Sequence, residues 1–398
     1  MSKHRHRHFV IAGSAALAVT FAFTEPGPPE APAAFLSESN GFTTPAQFAL
    51  DREIFEEAEG IDEGLGPLYN AASCAACHSN PVTGGISQVT ELRAGHFDGS
   101  VFRDHPGGSL INDLATDATA QERVLGGNEV RTQRTSLNIL GDGFVECIDS
   151  NTLQSIAGRQ PFGMRGQVIQ VPVLEAGGRP RAGRFGWKNQ HASLVSFAAD
   201  AYLNEMGITS PLQPTENTSL GRSVAIYDEV SDPEDTGEDI EAFARFMRST
   251  KVPPRDEELA VTTDARLGEQ VFSRIGCDAC HVRNITTAPA GTVINQGAFT
   301  VPPALGGVTI HPFSDFLLHN VGTGDGIVQN GGQSTRNKVR TAPLWGLRTR
   351  SRLMHDGLSM TRNDAIQRHS NEARPVIDAY RALGSTERQA LLTFLDSL

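Results

Sequence analysis

The sequence predicts a mainly α-helical chain of two tandem domains with long loops, each domain built around one copy of the same short motif. Three observations predict it. CAACH at 74–78 and CDACH at 277–281 repeat one pattern, and an aromatic residue, Tyr69 or Phe272, stands five positions before the first cysteine of each copy. Apolar residues recur at helical spacing in several segments, and no stretch shows the sustained alternation of a strand. The 398 residues suffice for two or three domains of roughly 150 residues each. The 40 Gly and 22 Pro add the expectation of short elements joined by ordered loops.

The elements follow in order. Lys3, Arg5 and Arg7 precede an apolar run from Phe9 to Phe23 and a Pro-rich stretch from Pro26 to Pro32, the layout of an export signal over residues 1–34, with cleavage expected near Ala33 or Ala34. The run is shorter than the roughly 20 residues of a membrane span, so membrane attachment is expected only if the signal stays uncleaved. A first domain over 35–235 begins with a helix that Thr44 caps and Pro45 opens, with Phe48, Ile54 and Phe55 near one face and Gly60, Gly64 and Gly66 after it. Ser193 to Met206 reads as a further helix. Residues 211–238, with Pro211, Pro214, Pro233 and a run of acids, read as the connection, and a second domain over 236–398 starts with a helix from Asp239 to Thr250, stopped at Pro253-Pro254. It closes with an amphipathic helix from Ser385 to Leu398. Arg134-Thr135 falls 56 residues after His78 and Arg340-Thr341 falls 59 after His281, so the repeat extends beyond the motif.

The motif spacing carries the chemistry. In CxxCH, two thiols bond to the two vinyl groups of one porphyrin while the adjacent histidine reaches under the ring to the iron, so Cys74, Cys77 and His78 hold one covalent haem c, and Cys277, Cys280 and His281 a second. A zinc site would need the two pairs to converge and would not explain the following histidines. Cys147 is left over and reads as a small buried hydrophobe. The net charge of −12 excludes nucleic acid as a partner and suits docking to a basic electron carrier.

The segments GLGPLYNAASCAACH from Gly64, GRFGWKNQ from Gly183, YLNEMGITSP from Tyr202, FSDFLLHNVG from Phe313, and RTAPLWGL with LMHDG between Arg340 and Gly357 resemble the bacterial di-haem oxidoreductases, peroxidase-like or thiol-oxidoreductase-like proteins distantly related to di-haem cytochrome c peroxidases. The resemblance implies tandem cytochrome c domains, two haems, electron transfer and peroxide chemistry. It also places DAIQRH, ending at His369, where such relatives hold the distal ligand of the C-terminal haem. Thr361 and Asp364 form a capping pattern, and Ile366 shares a helix face with His369. His355 and then Met354 are the next candidate ligands. The distal Gln and Glu of the peroxidases, ten residues apart around a proline, are not found after Arg134. Repeat alignment instead puts Glu146, in GFVECID, where His355 falls in the other half, which makes it the candidate acid/base over an open N-terminal haem. His96, His105 and His191 are alternatives for closing that haem. Arg134 and Arg340 are expected to fork onto haem propionates, Trp187 and Trp345 to pack or lie between the haems, and His319 with Asp315 to support a loop.

Two functions remain open at this stage. One is an exported, periplasmic oxidoreductase whose C-terminal haem relays electrons from a periplasmic donor or acceptor to an open N-terminal haem that takes hydrogen peroxide. The other is a non-catalytic electron-transfer module with both haems closed.

Overall fold

The computed structural model describes residues 27–35 and 38–398, so the apolar run of the expected export signal lies outside the described residues. Helix Pro45–Glu56 begins as its sequence demands. The Thr44 hydroxyl accepts the Gln47 N–H, and Pro45 occupies the first turn, where no amide donor is required. Its buried residues Phe48, Asp51 and Phe55 face helix Glu238–Ser249, with Phe48 stacked on Phe246 at 5.5 Å and Phe55 against the same ring at 4.8 Å. Asp51 does not cost the interface its stability because Arg245 forks onto it at 2.6–3.1 Å. Helix Leu194–Ala201 packs on Glu238–Ser249 as well, and continues into a π-helical turn, Tyr202–Met206, that ends at Gly207 with φ 72°. Helix Glu238–Ser249 thus completes the first half. Pro253 and Pro254 follow that helix.

The second half repeats the arrangement. Helix Thr263–Arg274 crosses the closing helix Ser385–Asp396, and Phe272, Phe313 and Phe394 meet edge to face at 5.3–6.1 Å. The crossing is close because Gly268 has no side chain. A Cβ there would stand 2.0 Å from the Ala390 carbonyl oxygen. In both halves the first helix lays an aromatic ring near the motif histidine, Phe55 at 6.3 Å from His78 and Phe272 at 6.2 Å from His281.

The expectation of a mainly α fold is corrected: 32% of the chain is helical and 16% is strand, a mixed α/β structure with many small sheets. The largest is antiparallel, with strand Thr90–Phe97 paired to Phe102–Asp104, Leu110–Ile111 and Val130–Thr135. Most other strands have two residues, too short for any periodicity to register. Strand Thr90–Phe97 escaped for a different reason. Its Glu91 and Arg93 are paired to each other, so the partly buried face reads as polar. The halves are not separate bodies, because one apolar core joins Phe144, Leu194 and Phe246 of the first to Ile285, Leu305, Phe316 and Trp345 of the second.

Residues Pro29 to Ala34 lie along this body. Ala31 N–H donates to Thr309 O, Thr309 N–H to Pro29 O, Val252 N–H to Pro32 O and Ala34 N–H to Val252 O, at 2.8–3.1 Å. Among the described residues no helix is long and apolar enough to cross a membrane.

Candidate haem sites

The N-terminal motif forms one helical turn, Cys74–Cys77, capped by Ser73, whose hydroxyl accepts the Ala76 N–H. The following His78 donates from Nδ1 to the Gly85 carbonyl at 3.1 Å, which leaves the Nε2 lone pair for a metal. The C-terminal motif does the same. Gly276 at φ 91° turns the chain into Cys277–Ala279, and His281 Nδ1 donates to the Phe313 carbonyl at 2.9 Å. Burial, then the nearby His369, brings His281 down to about 4, so it stays a neutral ligand at ordinary pH. The four motif thiols are free, and burial pushes those of Cys74, Cys77 and Cys277 up to about 12.

Around His281 opens an apolar cleft with about 1480 Å³ of empty space, counting the part that meets solvent. Cys277, Cys280 and His281 line it together with His369, Ile366, Met354 and His355. His369 follows helix Arg362–Gln367, which Thr361 caps through the Asp364 N–H as its sequence predicts. Its Nδ1 donates to the Ala365 carbonyl at 2.8 Å, which leaves Nε2 as the nitrogen without a hydrogen bond, and the residue lines the cleft. His355 is buried with Nδ1 unpartnered, lies edge to face with Trp187 at 6.1 Å, and accepts the Thr135 N–H on its carbonyl. It therefore sits where the halves meet. Trp187 itself donates from Nε1 to the Thr135 carbonyl at 2.8 Å.

A haem fits this cleft on grounds beyond its volume. Arg340 and Arg350 line it, burial lowers both to about 10, and Arg340 further lowers Arg350. Arg340 donates from Nη1 to the Arg184 carbonyl, but its buried Nε has no partner. Adjacent, incompletely paired cations on an apolar wall call for an anion, and haem propionates supply two. Arg134, expected in the same role, is corrected: Nε and Nη2 both donate to Asp325 Oδ2 at 3.0 and 2.6 Å, and Nη1 donates to Gln329. Lys188 completes that buried cluster, donating to Asp325 and to the carbonyls of Thr335, Arg336 and Lys338.

Glu146 is also corrected as a free acid/base. It is fully buried at the end of helix Asp142–Glu146, where Arg248 forks onto both carboxylate oxygens at 2.7 and 3.0 Å, and the Leu194 N–H and Asn295 amide donate to Oε1. Burial raises its pKa, but Arg248 and these hydrogen bonds outweigh it and hold the group below the usual carboxylate range. The carboxylate is committed to a structural ion pair rather than left free to exchange a proton. The repeat alignment could not see its partner 102 positions away.

His96 pairs with Glu129 at the surface, the His105 Nε2 accepts the Leu125 N–H, and His191 pairs with Asp200 at 3.0 Å. His319 is clamped between Asp315 at 2.8 Å and Glu372 at 3.0 Å, 3.8 Å from the Cys280 sulfur. The clamp overcomes burial and raises His319 to about 12, so the imidazole is a fixed cation on the cleft wall rather than a loop support alone. Cys147 is buried, as expected. The groups that sequence reading missed are Arg350 and the carboxyls of Glu91 and Glu205, whose charges both act on Cys77. A charged residue inside the apolar helical run before Met206 was the available signal for Glu205.

Paired thiols, histidines with free Nε2 atoms and a cationic apolar cleft define a haem-binding redox protein. A family model described as "Di-haem oxidoreductase, putative peroxidase" matches residues 112–398, and the chain belongs to the di-haem oxidoreductases. No curated protein matches it. Among solved structures, it is similar to hydrazine synthase of Kuenenia stuttgartiensis (15% identity, 97% of this chain and 100% of that one, TM-score 0.40). It is also similar to a MauG-like protein associated with microbial copper homeostasis (15%, 96% and 95%, TM-score 0.43) and to the dihaem peroxidase BthA of Burkholderia thailandensis (16%, 89% and 86%, TM-score 0.42).

Proposed function

We propose that the chain is an exported, peroxidase-like oxidoreductase with two covalent c haems, in which the C-terminal haem passes electrons from a periplasmic donor to an open N-terminal haem. The observation that carries the reading is that His281 and His369 line one cleft, each with Nδ1 held by a backbone carbonyl so that Nε2 is the nitrogen available to iron. Two imidazoles on one haem would make a closed centre suited to relay. The haems supply one-electron chemistry and, at the N-terminal site, an exchangeable position for peroxide. The chain's own residues do the rest. Cys277 and Cys280 would hold the haem by its edge, Arg340 and Arg350 would bind its propionates, and the apolar lining would keep water out. His355 and Trp187 fill the contact between halves through which an electron would pass.

A non-catalytic relay is the second reading. It is favoured by the one observation that Glu146, the expected acid, is locked to Arg248. Optical and EPR spectra of the holoprotein separate the two. The peroxidase-like reading expects one low-spin and one high-spin ferric signal, the latter changed by cyanide, whereas two low-spin signals indifferent to cyanide leave the relay. His369→Ala should convert the low-spin signal, and an unchanged one gives the ligand role to His355 or Met354.

A further inference from the structure

Tyr202 opens the π-helical turn Tyr202–Met206, a distortion that proteins keep mostly at functional places. Its ring is buried, and its hydroxyl meets two partly exposed carboxyls. The phenol donates to Glu59 Oε1 at 3.0 Å, and Asp239 Oδ2 stands at 3.4 Å as a second acceptor. One partner would satisfy a buried hydroxyl, so two carboxyls are more than packing asks for. The Glu59 N–H donates to the Ala72 carbonyl at 2.8 Å, and the Glu205 carbonyl of the π-helical turn accepts the N–H groups of Asn70 and Ala71. Both ends of the Tyr202–Glu59 hydrogen bond are thereby anchored to the segment that leads into Cys74.

On its other side the Tyr202 ring begins a row of aromatic contacts that ends at the motif histidine. Its centroid is 5.0 Å from that of Phe243, with the rings perpendicular at 90°. Phe243 is 6.0 Å from Phe55, and Phe55 is 6.3 Å from His78. Each separation is that of rings in contact. A filled apolar path carries a tunnelling electron better than water or a void of the same length. We infer that Tyr202 is a one-electron relay of the N-terminal haem, with Glu59 as the acceptor of its phenolic proton. The inference rests on reading Cys74, Cys77 and His78 as a haem site open to hydrogen peroxide.

Hydrogen peroxide takes two electrons and two solvent protons to become two waters, and Tyr202 supplies one of those electrons. Its O–H bond breaks. The electron passes along Phe243, Phe55 and His78 to the oxidised site, and the proton passes to Glu59, whose carboxylate becomes a carboxylic acid. A one-electron reductant in solution returns an electron to the neutral tyrosyl radical, and Glu59 returns the proton. A phenol yields an electron readily only when its proton has an acceptor within hydrogen-bond reach, because the radical cation left otherwise is a strong acid. Burial, then the charge of Glu59, pushes the Tyr202 phenol far up, so it enters the step protonated. Burial also raises the proton affinity of Glu59 and of Asp239, which suits them to receive.

EPR of the ferric holoprotein, frozen rapidly after mixing with hydrogen peroxide, tests this. The wild type should show a narrow tyrosyl signal whose width changes when the protein is made with ring-deuterated tyrosine, and ascorbate added after the peroxide should erase it. Tyr202→Phe, which removes a single oxygen atom, should abolish the signal at unchanged haem content. Glu59→Gln combined with Asp239→Asn should slow its appearance by roughly a hundredfold. An absent tyrosyl signal in the wild type, an equal signal in Tyr202→Phe, or unchanged kinetics without the two carboxyls overturns the relay. If peroxide leaves the optical spectrum of the N-terminal haem unchanged, the open-haem reading fails and the relay with it, a distinct result seen before any radical is sought.

Discussion

Arg248 decides what Glu146 can do. A carboxylate that is fully buried, forked by a guanidinium and given two further donors is an architectural anion, and its removal leaves a buried cation without a partner. Glu146→Gln should therefore cost on the order of 3 kcal/mol of stability in urea unfolding. Peroxide consumption per intact haem should stay near the wild-type rate, and a large selective loss of rate with unchanged stability would return the residue to catalysis. Asp325 is the parallel case in the second half. Despite burial, Arg134 and Lys188 hold it down at about 2, against 3.8 when unperturbed. A depressed carboxyl stabilises the fold above its unfolded value and stops doing so as pH falls through the folded one. The Asp325 contribution, about 2–3 kcal/mol from a shift of this size, should persist at neutral pH and disappear between about pH 4 and pH 2. Urea midpoints of wild type and Asp325→Asn compared across that window should converge at its acid end.

At the scale of elements, the two halves use one device, a first helix crossed by a closing helix with an aromatic ring turned to the motif histidine. In the second half the crossing depends on Gly268. An added methyl group would overlap the Ala390 carbonyl and the Phe394 side chain, and neither backbone can retreat without parting the helices. Gly268→Ala should lose more than about 1–3 kcal/mol, the ordinary cost of overpacking, outweighing the gain in helix propensity. Thermal unfolding of the holoprotein measures it, and a rise in Tm would show that the crossing is loose. The stretch from Pro29 to Ala34 makes four backbone hydrogen bonds to Thr309 and Val252. Cleavage near Ala33 or Ala34 would break them, so if the chain is exported as proposed, its mature form is expected to begin before Pro29, which N-terminal sequencing of the purified protein decides.

At the scale of the whole molecule, the shared core and the Arg134–Asp325–Lys188 cluster bind the halves into one body. This predicts coupled loss of structure but separable loss of cofactor. Changing Cys74 and Cys77 to Ala should halve the haem content and leave the His281 site filled. Retention of both haems would end the assignment.

CxxCH chemistry is local, five residues whose meaning needs no partner from elsewhere, and it was therefore legible at 74–78 and 277–281 in the sequence alone. Local too were the caps at Thr44 and Thr361 and the helix ends. The small sheets were not legible, because strands of two residues have no period and the longest strand hides its pairing in charged residues. Nor were the roles of charges. Glu146, Arg134 and Arg340 look alike in sequence as candidates for a site, yet the first two meet opposite charges more than a hundred positions away while Arg340 retains a buried unpaired Nε. Glu205 shows the reverse, an unremarked helical residue that the fold ties to Asn70 beside the N-terminal motif. The sequence by itself determined which groups can carry haem. The tertiary structure decided which charged side chains remain free to serve it, because burial and pairing set the energy of every charge, and both are properties of the folded chain.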